Sequence, residues 1–140
     1  MTENKFQYWN LAIIGGVAVY IAISAIYLFL GRANADEGWY LYASKLAWSG
    51  YLPYQDFAYT QTPLLPYIYG LPQFIFGQSI YLGRATSIFF SAITIVVYLS
   101  IAHKHSGKIG AGFTAILLGT FTYGIYFMSI VKTYALLAVS

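Results

Sequence analysis

The stretch LAIIGGVAVYIAISAIYLFL, residues 11–30, has no charged side chain. A helix of about 20 apolar residues is long enough to cross the roughly 30 Å of hydrocarbon in a bilayer. Two later stretches, 85–102 and 109–131, are also free of charge and of similar length. The sequence therefore predicts three membrane spans, at about 10–30, 82–102 and 109–131.

The composition supports a membrane protein. Of the 140 residues, 59% are hydrophobic, 20% are aromatic and only 8% are charged, which is far from the average for a soluble domain. The expected fold class is all-α and membrane-embedded. The chain has no cysteine, which excludes disulfides and thiolate ligands. Its net charge of +3 is not gathered on a basic face, so a nucleic-acid partner is not expected.

The lysines predict the orientation. Lys104 and Lys108 lie in the short link between the second and third spans, which contains no acid. Because basic residues in short loops stay on the cytoplasmic side, this link and the N-terminus are expected inside. The outer loop is then 31–81, in an integral protein of the cell membrane that contacts membrane lipids.

The chain turns apolar again near residue 135. This pattern predicts the beginning of a fourth, truncated span. We therefore expect residues 1–140 to be the N-terminal part of a longer polytopic membrane protein.

The outer loop has its own helical pattern. Apolar residues recur at helical spacing from Asp36 to Ser49, and Gly50 follows, which predicts an amphipathic helix on the membrane surface. Either Asn34 or Asp36 could cap its N-terminus.

A second short apolar helix is expected to begin at Pro63. Pro66, Gly70 and Pro72 are expected to kink or interrupt it. The predicted architecture is therefore a set of membrane spans with two juxtamembrane helices in the first outer loop.

Asp36 and Glu37, which follow the first span directly, are the main candidates for a functional site. Ionisable groups at the edge of hydrocarbon are costly and are site candidates by default. The alternative is that they cap a helix. Asp56 is a second candidate, either as a binding residue or as a turn aspartate that accepts from nearby backbone.

Four motifs occur in a fixed order along the outer loop and the start of the second span. They are Asp-Glu-Gly-x-Tyr at 36–40, Gly-Tyr-x-Pro-Tyr-x-Asp-Phe at 50–57, Thr-Pro-Leu-x-x-Tyr at 62–67, and Gly-Arg at 83–84. This order resembles the polyprenyl-phosphate-dependent glycosyltransferases of the GT-C fold. Within that superfamily it is most similar to the family 39-like group of dolichyl-phosphate-mannose protein mannosyltransferases and aminoarabinose transferases.

The resemblance implies a function and a site. Asp36 and Glu37 would be catalytic, one accepting a proton from the acceptor hydroxyl and the other orienting the acceptor. Asp36 could also hold a divalent cation, which is the one cofactor that the resemblance allows. Lys45 and Arg84 would contact the donor phosphate. The donor would be a lipid-linked sugar, a polyprenyl-phosphate sugar, and the acceptor a protein, a lipid or a glycan.

The chain also departs from the family. Lys132-Thr133-Tyr134 stands where many related enzymes have an acidic residue, which leaves the donor and a two-carboxylate metal site open. Two other classes therefore stay in view. One is a polytopic transporter in which Asp36 and Glu37 bind a coupling ion, and the other is a non-catalytic membrane subunit.

Overall fold

A computed structural model describes residues 2–132 and 134–137, with side chains for 8–132, 134 and 135. The regular elements in that part of the chain are helices: α1 Thr2–Leu30, α2 Ala35–Trp48, α3 Leu64–Phe76, α4 Ile80–Thr120, α5 Thr122–Ser129 and α6 Tyr134–Leu137. The all-helical fold class is confirmed. Only the first turn of the predicted fourth span, α6, lies within the described residues.

In the part of the chain that the structure describes, two helices are long and apolar enough to cross a membrane, Tyr8–Leu30 in α1 and Ile80–Thr120, which is α4. Only 11% and 22% of their most apolar windows are buried inside the protein. Apolar side chains that point outward along a whole helix suit contact with lipid better than a soluble core. The structure thus indicates a membrane protein, while its orientation stays a prediction.

Helix α4 doubles back at Gly107. This residue has φ 61° and ψ −158°, a conformation that glycine adopts without steric cost. Ile95 and Leu118, on either side of it, line one cavity of about 220 Å³, whereas a straight helix would separate them by roughly 35 Å. The two arms of α4 are therefore antiparallel. The predicted link at 103–108 is helical except at Gly107.

Helix α1 packs against both arms of α4. Its closest approach is at Gly16, where an added Cβ would collide with the backbone of Ala115. Gly119, four residues after Ala115 on α4, lies at the same crossing, and a Cβ there would come within 2.6 Å of the Gly16 carbonyl oxygen. Small residues at such a crossing let helices approach closely in a membrane, where packing drives association.

The predicted third span is less regular than its sequence indicates. The chain leaves helical geometry at Phe121, resumes as α5, and becomes extended at Ile130. At this break the Phe121 ring lies over Gly124, where any side chain would collide with it. The helical part of the predicted 109–131 span therefore has two pieces and ends at Ser129.

The two juxtamembrane helices pack on each other. The bounds of α2 confirm the helix that the sequence predicts after Asn34, while its position on the membrane surface stays a prediction. Helix α3 runs from Leu64 to Phe76 without the predicted interruption, although Pro72 lies inside it. Pro66 is tolerated because it lies in the first turn, where backbone N–H groups have no helical partner. At Gly70 the missing side chain makes room for the Trp48 ring, whose Nε1 donates to the Tyr67 carbonyl at 3.0 Å.

The contact at Gly16 makes a testable prediction. Gly16→Ala should lower the free energy of unfolding by about 1–3 kcal/mol, because the new methyl group collides with backbone that cannot turn aside. Gly15→Ala is the matched control, since nothing lies within 4 Å of its Cβ position. That variant should be neutral or stabilising by up to about 1 kcal/mol. Denaturant unfolding in detergent micelles measures both, and equal effects would contradict the close crossing.

Candidate functional site

The site is built at the start of α2, just after α1 ends. Asn34 is the N-cap, and its Oδ1 accepts a hydrogen bond from the Asp36 N–H at 3.0 Å. Glu37 completes the capping box by accepting from the Asn34 N–H at 3.0 Å. Of the two residues predicted as caps, Asn34 is therefore the one used, and the Asp36 carboxylate is left for other contacts.

Glu37 is completely buried and forms a two-pronged ion pair with Arg84, called here the buried pair. Arg84 donates from Nε to Oε1 at 2.8 Å and from Nη2 to Oε2 at 2.7 Å. The backbone N–H groups of Asn34 and Val131 donate to the same two oxygens. Each carboxylate oxygen thus accepts two hydrogen bonds, which leaves none free to take a proton from a substrate.

The pKa of Glu37 reflects these contacts. Burial by itself would raise the pKa above its ordinary 4.5, but hydrogen bonds from Arg84, Asn34 and Val131 outweigh burial and lower it. Glu37 is therefore an anion throughout the neutral range. The contacts of Glu37 are structural, because they hold α2 against α4 and the chain after α5. Of the two predicted catalytic residues, Asp36 is the one with a carboxylate that could act as a base.

Arg84 has no donor left for a phosphate. Its Nη1 donates to the carbonyls of Tyr27 and Gly31 at 3.0 and 2.9 Å, and its Nη2 donates to the carbonyl of Arg32 at 3.0 Å. These carbonyls lie at the C-terminus of α1, where helical partners run out. With 2% of its side chain exposed, Arg84 is enclosed by these partners.

Asp36 forms a second ion pair, called here the surface pair. Its Oδ2 lies 2.7 Å from Nζ of Lys132, with 51% of the Asp36 side chain exposed but only 16% of the Lys132 side chain. The Lys132 ammonium also lies 5.8 and 5.7 Å from the ring centres of Phe127 and Tyr134. Aromatic faces at this distance attract a cation and hold it in place.

The backbone around Lys132 is held by three other helices. The Ile130 carbonyl accepts from Ser87 on α4 at 2.7 Å, and the Lys132 carbonyl accepts from Tyr69 on α3 at 3.1 Å. Val131 donates to Glu37 on α2. Burial raises the pKa of Tyr69 to about 12 despite its hydrogen bonds, so its hydroxyl remains a donor. Lys132 therefore sits on a fixed stretch of chain.

Tyr40 lies next to the surface pair, and Tyr59 belongs to the same core cluster as Tyr40. Burial, and then the nearby Asp36 carboxylate, raise the pKa of Tyr40. Burial also raises the pKa of Tyr59, which packs in the same core cluster and whose hydroxyl has no hydrogen-bond partner among the described residues. Both phenols stay protonated, and Tyr40 is a neutral neighbour of the two charges.

The other predicted residues lie elsewhere. Lys45 is exposed in the last turn of α2, roughly 13 Å along the helix from Asp36. Asp56 closes a turn, since its Oδ2 accepts from the Leu52 N–H at 2.7 Å. No group of three or more metal-ligating side chains occurs in the described part of the chain. The cation beside Asp36 is the Lys132 ammonium.

Sequence reasoning missed two ion pairs, Glu37–Arg84 and Asp36–Lys132. Only the first could have been inferred from the sequence. Arg84 is the one charged residue between 80 and 102, and a charge at the edge of a span requires a partner. That rule points to an acid in the outer loop, although it does not choose between Asp36 and Glu37. The pairing of Asp36 with Lys132 joins residues almost a hundred positions apart and has no comparable signal.

Comparison with protein-family models, with curated proteins and with solved structures finds no match to this chain. The described residues form an all-helical domain with two candidate membrane-spanning helices. At one end of the helices, a buried ion pair supports a half-exposed one. The functional argument therefore starts from the chemistry of these side chains.

The buried pair predicts a large and specific effect on stability. Glu37→Gln should lower the free energy of unfolding by about 3–5 kcal/mol, because it leaves a guanidinium buried without a counter-charge. Asp36→Asn, one residue away, removes a half-exposed pair and should cost less than about 1 kcal/mol. Thermal unfolding in one detergent compares the two variants, and a larger loss for Asp36→Asn would contradict the assignment.

The same pair predicts a pH dependence. Because folding lowers the pKa of Glu37, its contribution to stability is fully present above the ordinary value of 4.5 and is lost as the pH falls through the folded-state value. The melting temperature of the wild type should therefore drop in acid more steeply than that of Glu37→Gln. Parallel curves for the two proteins would show that Glu37 does not titrate in this range.

Proposed function

We propose that this chain is part of a membrane glycosyltransferase, which moves a sugar from a polyprenyl-phosphate donor to an acceptor hydroxyl on the non-cytoplasmic face. The observation that carries the proposal is the surface pair. It combines a half-exposed carboxylate with an ammonium 2.7 Å away, where α1 has ended and α2 begins. Base and cation are the two charges that such a transfer requires.

The two residues of the surface pair, Asp36 and Lys132, supply the groups that the reaction needs. The acceptor oxygen attacks the anomeric carbon and forms the new glycosidic bond, while its proton passes to the Asp36 carboxylate. The bond between the anomeric carbon and the phosphate oxygen breaks, and its electron pair leaves on the polyprenyl phosphate. A positioned base is typically worth about 10²–10⁴-fold in rate, and a cation at the leaving phosphate stabilises the charge that develops there.

The position of the site suits a lipid-linked donor. Asp36 follows the C-terminus of α1, and Lys132 follows the end of α5, so both charges lie at the same end of the helical bundle. A phosphate held at the headgroup level could reach them while its polyprenyl tail stays in the hydrocarbon. The acceptor, whether protein, lipid or glycan, would approach the exposed side of Asp36.

One observation favours a second candidate, a non-catalytic membrane subunit. Glu37 and Arg84, two residues expected to act on substrates, are fully engaged with each other and with backbone. A paralogue that kept the fold after losing activity would also retain them. A transporter is less favoured, because Asp36 lies at the end of the bundle rather than near the midplane, where coupling-ion sites usually occur.

The decisive experiment is sugar transfer in membranes by the full-length protein, from a panel of radiolabelled polyprenyl-phosphate sugars. Asp36→Asn should reduce transfer by about 10²–10⁴-fold, because the amide cannot accept the proton. The level of folded protein should stay close to that of the wild type, since the carboxylate is half exposed.

Asp56→Asn is the matched control. Its side-chain oxygen can still accept from the Leu52 N–H, and transfer should be retained. Wild-type rates in Asp36→Asn would remove Asp36 as the base. If a folded wild-type protein transfers no sugar from any donor, the subunit becomes the better explanation.

A further inference from the structure

We propose that Lys132 binds the phosphate of a membrane lipid, and that this phosphate displaces Asp36 from its ion pair with Lys132. The proposal rests on the proposed function and goes beyond it by assigning the phosphate contact and an order of events. The surface pair would be the resting state. A bound phosphate would take the ammonium and leave the Asp36 carboxylate free to act.

The first argument is the state of Arg84 and Lys45, the two cations that the resemblance assigns to the phosphate. Arg84 donates all of its N–H groups to Glu37 and to backbone carbonyls. Lys45 is at the far end of α2, roughly 13 Å from Asp36. Lys132 is the cation that contacts Asp36 directly.

The second argument is how firmly Lys132 is held. Its backbone carbonyl is bonded by Tyr69, and its ammonium lies against the rings of Phe127 and Tyr134. The hydrogen bond to Asp36 raises the pKa of Lys132, so the side chain is an ammonium at neutral pH. A cation that is already ordered and mostly shielded from water binds an anion with little further loss of entropy.

The third argument is that a phosphate can displace the Asp36 carboxylate from Lys132. Half of its side chain is exposed, and a half-exposed ion pair contributes little free energy because water solvates the released carboxylate well. A phosphate offers more negative charge and more acceptor oxygens than a carboxylate does. The protonated Tyr40 phenol, buried beside the pair, carries no charge that would repel a phosphate.

This exchange would couple binding to chemistry. While Lys132 holds Asp36, one carboxylate oxygen is occupied at 2.7 Å and is less available to accept a proton. Binding of the phosphate would free that oxygen at the moment when the sugar to be transferred is in place. The base would then act only when a donor is present.

The test is equilibrium binding to the purified protein in phosphatidylcholine nanodiscs. The probes are polyprenyl phosphate and polyprenol, which share a tail and differ in the phosphate. The wild type should prefer polyprenyl phosphate. Lys132→Met should reduce that preference about tenfold, as expected for losing one charge-assisted hydrogen bond, and Asp36→Asn should raise the affinity for the phosphate by up to about fivefold by removing the competitor.

The opposite signs of these two changes separate ligand binding from a structural role, because loss of a merely structural pair would weaken binding in both variants. Arg32→Met is the matched control, because it removes one exposed cation of the outer loop. The proposal is overturned if Lys132→Met keeps the preference, if Arg32→Met abolishes it, or if Asp36→Asn weakens binding.

A further arm separates a lipid phosphate from free phosphate. If inorganic phosphate at millimolar concentration displaces polyprenyl phosphate completely, the site belongs to a soluble anion and the lipid assignment is overturned. The outcome is also distinct from that of the transfer assay. Phosphate-selective binding without sugar transfer would support this inference and count against the proposed enzyme, whereas transfer that survives Lys132→Met would do the reverse.

Discussion

The ion pair between Glu37 and Arg84 is the interaction on which the arrangement of this protein depends. The Arg84 guanidinium donates to a carbonyl at the end of α1 and to the Glu37 carboxylate at the start of α2. The same carboxylate accepts from the Val131 N–H, in the chain after α5. Breaking such a pair leaves a buried charge uncompensated, which is far more costly than losing an exposed pair. The end of α1, the start of α2, the start of α4 and the chain after α5 are therefore held in one geometry by a single pair of side chains.

That geometry separates two adjacent carboxylates into different environments. Consecutive residues of a helix point about 100° apart, so Asp36 faces outward where Glu37 faces the core. Glu37 is surrounded by donors and stays ionised without access to solvent, whereas Asp36 keeps one side open to water. Only the exposed carboxylate can meet a substrate, and the buried one fixes the position of the helix that carries it.

The juxtamembrane helices act as a rigid support for this site. Tyr69 on α3 donates to the carbonyl of Lys132 and its hydroxyl oxygen lies 2.8 Å from Ser87 Oγ on α4, while Trp48 fills the space left by Gly70. These contacts join α2, α3 and the first turns of α4 into one unit. The candidate site therefore stands on packed helices rather than on a mobile loop, and rigid support of this kind is what a positioned base requires.

The sequence by itself determined the helical class, the apolar stretches that form α1 and α4, and the helix that follows Asn34. It also singled out Asp36 and Glu37 as site candidates. Those features follow from local properties: run length, helical period, capping chemistry and the cost of charge near lipid. What each carboxylate does was decided only by the tertiary structure. Ion pairs between Glu37 and Arg84, and between Asp36 and Lys132, depend on how the helices meet in space. Periodicity describes one helix at a time, so it cannot assign partners that lie on different helices.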